Sequence, residues 1–297
     1  MNAQSYENDH LFRTEAREGM RVDWDVPIEM DDGNVLRANV YRPDDDKPYP
    51  VILSHGPYGK DLHFEEIYKT CWDLMCENHP DVPAGSSNIH QCWEVVDPEK
   101  WVPHDYVVIR VDSRGAGRSP GYLELWGPRE TKDFANCIEW AGIQSWSNGK
   151  VGLSGISYYA ANQWQVAALR PKHLAAICPW EGFVDFYREL SYHGGIYSTF
   201  LRHWYDKQIM PIQHGYGERG FRSKVNGEWA AGPDTLTDEE LRENRMDLHG
   251  DFISHPLDDA FFARLTPDLS RINVPVLSCA NWGGAPLHPR GNFNGYR

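Results

Sequence analysis

A chain of 297 residues has room for one large α/β domain or two modest ones. Its 41% apolar, 13% aromatic and 24% charged residues match a globular composition and exclude wholesale disorder. Lys+Arg 29 against Asp+Glu 43 leaves a formal charge of −14, so phosphate backbones and anionic membrane surfaces repel the chain. Neither nucleic acid nor membrane is an expected partner.

The start, Met1 to Arg21, is polar and acidic rather than a basic stretch followed by an apolar one, and no run of 18 apolar residues follows. Export and spanning are therefore not expected. The cysteines Cys71, Cys76, Cys92, Cys137, Cys178 and Cys279 are dispersed, which suits a reducing, cytoplasmic setting. Cys71 and Cys76 with His63, His79 and His90 match no structural zinc spacing, so no metal is expected.

In chain order, Val22, Trp24, Val26 and Ile28 alternate on what reads as one strand face. Asp31-Asp32-Gly33 then turns the chain into a second alternating run, Leu36, Ala38 and Val40. Short continuous apolar runs follow at Pro50–Leu53, Tyr106–Ile109, Val151–Leu153, Leu174–Ile177 and Val274–Leu277, the pattern of strands buried on both faces. Between them Phe134, Cys137, Ile138 and Ala141 fall at helical spacing, with Pro128 ahead and Gly142 behind. Alternating strands and helices predict an α/β fold with a mostly parallel sheet covered on both faces. From Gly182 to about Phe262 the alternation stops. The expected organisation is a core over residues 1–181, an inserted helical cap over 182–262 and a continued core over 263–297.

The sharpest chemical signal is Val151-Gly152-Leu153-Ser154-Gly155-Ile156-Ser157-Tyr158-Tyr159-Ala160, a strand entering Gly-x-Ser and then a helix. That context makes Ser157 a candidate nucleophile on a strained turn, with Gly155 and Ala160 as the small neighbours it needs. The motif's second glycine is replaced by Tyr159, and a serine that merely caps the helix fits the same residues. Ser54-His55-Gly56-Pro57-Tyr58-Gly59-Lys60 follows the third strand, where this kind of fold places oxyanion donors; a plain Gly-Pro turn is the other reading.

Several stretches together are more specific: Arg110-Val111-Asp112-Ser113-Arg114-Gly115-Ala116-Gly117-Arg118-Ser119-Pro120-Gly121, Ile138-Glu139-Trp140-Ala141, Trp146-Ser147-Asn148-Gly149-Lys150-Val151-Gly152 and the Ser157 turn. With Pro57-Tyr58, Tyr192-His193-Gly194-Gly195 and His255-Pro256-Leu257-Asp258-Asp259, they make the chain resemble the CocE/NonD hydrolases from about residue 20 to 297. This group includes the cocaine esterase and X-Pro dipeptidyl-peptidase type. The resemblance implies an α/β-hydrolase with a helical cap that cleaves small esters or amides without a cofactor. It assigns Ser157 as nucleophile, the Tyr58 hydroxyl as oxyanion donor and the Tyr158 amide as the second donor.

The family's acid follows the strand ending Leu277-Ser278-Cys279, where this chain reads Asn281-Trp282-Gly283-Gly284. The family's histidine comes after one more strand and a jelly-roll domain then follows, so the chain resembles a member cut short. Glu181, behind Ile177-Cys178-Pro179-Trp180, can serve as acid from the preceding strand, or can be a helix-start carboxylate. His55, His193 and His288 are the candidate bases. Three functional expectations follow: a serine hydrolase, an acyl transferase on the same turn, and a catalytically impaired relative that binds a ligand or partner. The uncovered sheet edge that such a chain would leave favours self-association.

Overall fold

The computed structural model describes Tyr6, residues 9–284 and residues 287–297. A seven-stranded mixed sheet forms the centre, in the order β1-β2-β3-β5-β4-β6-β7. Its strands are β1 (Arg13–Arg17), β2 (Met20–Glu29), β3 (Val35–Arg42), β4 (Tyr49–Gly56), β5 (Val107–Asp112), β6 (Ser147–Ile156) and β7 (Leu174–Trp180). The pairs β5/β4, β4/β6 and β6/β7 are parallel, whereas β1, β2 and β3 join as an antiparallel meander. The C-terminal ends of the parallel strands therefore open on one edge of the molecule, the place where open α/β sheets bind ligands.

Helices α1 (Phe64–Ile67), α2 (Lys69–Asn78) and α3 (Pro98–Trp101) occupy the connection from β4 to β5. Two helices return the chain between the parallel strands: α4 (Pro128–Gly142), which starts on Pro128 as the spacing predicts, and α5 (Tyr158–Ala168). Phe134, Cys137, Ile138 and Ala141 of α4 and Trp164 and Ala167 of α5 bury against Val51, Leu53, Val107, Ile109, Val151 and Leu153 of the sheet. At about 25 cal/mol per Å² of apolar surface, each of the larger ones, such as Phe134, Ile138 and Leu153, is worth roughly 1.5–3 kcal/mol.

The first strand of the predicted hairpin does not keep one face. The register slips between Asp23 and Val26, with Asp23 opposite Val40 but Val26 opposite Ala38, and Asp25 takes φ 52° at the bulge. A one-residue slip turns every following side chain to the other face. Val22 and Trp24 thus join Tyr41 and Val108 on one side of the sheet, whereas Val26 and Ile28 pack with Leu36 and Ala38 on the other.

The expected strand at Val274–Leu277 is present only as two parallel bridges, Ile177 with Val276 and Trp180 with Cys279. The amides of Ile177, Leu277, Cys279 and Glu181 all find ladder partners across this edge. Pro179 has no N–H to give the carbonyl opposite, and the ladder is interrupted there.

Residues 182–262 hold the two-residue strands β8 (Tyr192–His193) and β9 (Ile196–Tyr197). They are followed by α6 (Phe200–Trp204), α7 (Asp238–Glu243), α8 (Leu248–Ser254) and α9 (Ala260–Ala263). Phe186, Leu190, Tyr192, Leu201, Trp204 and Phe252 from this segment form one apolar cluster with Tyr58, Trp126, Tyr158 and Tyr159, over the ends of β4 and β6. The last helix, α10 (Pro289–Tyr296), lies back against the end of β7.

Candidate active site

Ser157 connects β6 to α5 with φ 58° and ψ −108°, a conformation that L-residues adopt only when their surroundings hold them there. Its amide donates to the Trp180 carbonyl at 3.0 Å, and its own carbonyl accepts from the amides of Ala160 and Ala161. Tyr159, standing where the motif expects glycine, is accommodated by two other glycines. A Cβ on Gly155 would lie 2.3 Å from Tyr159 Cβ, and one on Gly56 would lie 2.6 Å from its ring. The missing small residue has been moved to the neighbouring backbone, so the sharp turn survives.

The Ser157 hydroxyl meets a histidine and the histidine meets a carboxylate. Ser157 Oγ lies 3.1 Å from His288 Nε2, and His288 Nδ1 lies 3.1 Å from Glu181 Oε2. With a carboxylate at Nδ1, that nitrogen carries the ring proton and Nε2 is left to accept from the serine. Glu181 does not start a helix: it follows β7 in a turn with φ 52°, and the next helical turn begins after Asp185. Burial lowers the His288 pKa below its ordinary value, against the opposing pull of Glu181.

His288 reaches this place because α10 docks closely on the turn after β7. Asn292 donates to the Pro179 carbonyl at 3.0 Å and accepts from the Gly182 amide at 2.8 Å. A Cβ on Gly291 would come within 2.3 Å of Phe183 Cα, so only glycine permits the approach. The other two histidine candidates lie elsewhere. His55 is fully buried and stacked on Phe134 at 4.9 Å, where burial pulls its pKa down to about 4, and His193 ends β8, paired with Ile196 of β9.

Tyr58 is buried beside the serine, its ring edge-on to Tyr158 and Tyr159 at 5.7 and 5.5 Å. Trp204 Nε1 donates to its hydroxyl at 3.2 Å. Burial, reinforced by the Glu94 carboxyl, holds the Tyr58 pKa well above 10, so the group remains a donor at neutral pH. The Tyr158 amide, first of α5, has no acceptor within its helix. The Tyr158 side chain is anchored away from the serine, donating to Glu130 at 2.6 Å, while burial pushes the Glu130 carboxyl up to about 7. Tyr58, Ser157, Tyr158, Trp204, Leu287 and His288 line one cavity of about 10 Å³, room for a single water molecule.

One residue with no sequence signal also borders the site. Glu94 takes φ 61°, its carbonyl accepts from the Ile156 amide at 3.0 Å, and its Oε2 is buried without a partner. It lines an apolar pocket of about 310 Å³ with Phe64, Val95, Trp101 and Ile156. Burial, opposed by a hydrogen bond from Trp93 and reinforced by the Glu181 carboxylate, raises its pKa well above the usual range. Among the described residues no cluster of three or more His, Cys, Asp or Glu is arranged to hold a metal.

The fold is that of an α/β-hydrolase: a CocE/NonD family hydrolase from Staphylococcus aureus superimposes over the whole chain with TM-score 0.76 at 34% identity. An α-amino acid ester hydrolase shares the fold at TM-score 0.56 and 15% identity. Residues 32–297 match the family described as X-Pro dipeptidyl-peptidase (S15 family), and the chain belongs to this family of serine hydrolases. Cocaine esterase from Rhodococcus sp. (strain MB1 Bresler) is 31% identical over 170 residues, 57% of this chain and 25% of that protein. A putative Xaa-Pro dipeptidyl-peptidase from Bacillus cereus is 27% identical over 191 residues, 58% of this chain and 32% of that one. The chain thus spans about a quarter to a third of these curated relatives, and 48% of the S. aureus chain.

Proposed function

We propose that this chain hydrolyses a small ester or amide through Ser157, with His288 as base and Glu181 as the acid that orients it. The observation that carries this reading is the pair of 3.1 Å contacts linking hydroxyl, imidazole and carboxylate. Ser157 Oγ attacks the substrate carbonyl as its proton passes to His288 Nε2. The resulting oxyanion receives hydrogen bonds from the Tyr58 hydroxyl and the Tyr158 amide. His288 then gives the proton to the leaving alcohol or amine, and water repeats the sequence on the acyl-enzyme. Glu181, at 3.1 Å from His288 Nδ1, stabilises the imidazolium as it forms.

Residues 182–262 act as a cap in this reading. The cavity at the serine is too small for an acyl group, so substrate entry displaces α6 or Leu287. The aromatic walls favour an apolar acyl or aromatic part. The test is labelling of the purified chain by a fluorophosphonate together with burst kinetics on p-nitrophenyl acetate. Wild type should label and show a burst, and Ser157→Ala should do neither; equal turnover by the Ala variant removes the nucleophile and the reading with it.

The oxyanion assignment has its own expected result. Tyr58→Phe lowers kcat at least about tenfold, and by as much as the roughly 10²–10³ of a single oxyanion donor, with KM little changed. Trp204 Nε1 loses its acceptor, which costs about 1–2 kcal/mol and lowers Tm by a few degrees. Unchanged kcat with that Tm shift would leave Tyr58 a packing residue only.

A further inference from the structure

The loop that carries Tyr58 is tied to an ion network buried under the sheet edge. Asp112, at the end of β5 and 1% exposed, accepts through Oδ1 from the Lys60 amide at 2.7 Å and through Oδ2 from the Arg118 amide at 2.9 Å. The Lys60 ammonium lies 2.8 Å from Asp25 Oδ1 and 2.6 Å from Asp61 Oδ2. Asn39 donates to Asp61, and Arg118 Nε stands 2.9 Å from Asp25 Oδ1. Asp25 reaches the network only through the β2 bulge, where its φ of 52° turns it inward. Three carboxylates against two cations, all nearly solvent-free, is an arrangement that hydrophobic packing often matches or betters for stability. Its position gives it another consequence, because Lys60 is two residues beyond Tyr58.

Resting on the assignment of Tyr58 as oxyanion donor, we propose that Asp112 is a positioning residue. By holding the Lys60 and Arg118 amides with one carboxylate, it fixes the Gly56–Lys60 loop so that the Tyr58 hydroxyl is aimed at the oxyanion. Only the ionised carboxylate accepts fully from both amides; protonating one oxygen makes it a poorer acceptor and loosens the amide it holds. The groups that face it are Lys60, Asp61 and Asp25 with Arg118 from the surrounding loops and strands, and Tyr159 and Cys92 from the far side. Burial, opposed by Lys60, pushes Asp112 up to about 7. The alignment is therefore complete above that pH and is lost as pH falls through it.

Kinetics of the full chain on p-nitrophenyl acetate test this with a double-mutant cycle. Asp112→Asn keeps the shape but cannot accept at both oxygens, and should lower kcat about tenfold to a hundredfold with KM within about twofold. In the Tyr58→Phe background the same change should cost less than about twofold. An equal loss in both backgrounds overturns the proposal, since Asp112 would then act on something other than Tyr58. A Tyr58→Phe variant with wild-type kcat instead sinks the oxyanion assignment itself. Should Asp112→Asn fail to fold, the pH profile decides: wild-type kcat should show two ionisations on its acid side, the upper near 7. Tyr58→Phe should retain only the lower, and a single ionisation in wild type overturns the proposal.

Discussion

His288→Ala lowers kcat on p-nitrophenyl acetate by at least about 10³-fold, to the residual rate that binding and oxyanion donors alone sustain. The serine hydroxyl is a poor nucleophile near neutral pH unless a base takes its proton. Among the described histidines, His288 has a nitrogen at 3.1 Å from Ser157 Oγ. A variant in which only the base is missing should still fold, because α10 is held by Asn292 and the close approach at Gly291 rather than by the imidazole. His193→Gln, at the end of β8, is the matched control and should stay within about twofold of wild type. Steady-state rates read beside thermal melts separate the two cases. A His288→Ala enzyme with more than a tenth of wild-type kcat would show that proton transfer from Ser157 uses another group.

The contrast between these histidines shows what was legible in the sequence. Ser157, Tyr58 and Glu181 each lie directly behind an apolar run that becomes β6, β4 or β7, so strand reading places them on the same sheet edge. His288 follows no such strand. Its position depends on Gly291 and Asn292 of α10 gripping the turn after β7, a fit between a helix and a loop distant in sequence that hydrophobic periodicity does not record. Glu94 was silent for a related reason, since its place is set by a positive φ and one backbone bond to Ile156. The slip at Asp25 shows the limit of the alternation rule itself. Val22, Trp24, Val26 and Ile28 keep period two in the sequence, yet a bulge divides them between two faces and spends the extra residue on an inward carboxylate. Pro179 broke the expected last strand by a deficit visible in the sequence once its pairing partner is known.

Glu181→Gln separates orientation from packing at the third member of the site. The amide keeps the volume and the strained φ of 52°, but it offers His288 Nδ1 either a weaker acceptor or a donor. The imidazole then loses its tautomeric preference and the charge that stabilises its protonated form. The expected loss is about 10²- to 10⁴-fold in kcat, the upper end being that of an acid-to-amide change in a serine triad. The pH profile carries a sign that a merely structural role would not produce. In wild type, burial lowers the His288 pKa and Glu181 partly restores it. Removing the carboxylate leaves burial unopposed, so the histidine stays neutral to lower pH and the acid limb of kcat/KM, which reports the free enzyme, moves down. A residual rate whose acid limb moves up, or does not move, would place the controlling carboxylate elsewhere. Glu94, whose carbonyl holds the Ile156 amide next to Ser157, is then the next residue to replace, because its Oε2 is buried without a partner and the Glu181 carboxylate is near enough to raise its pKa.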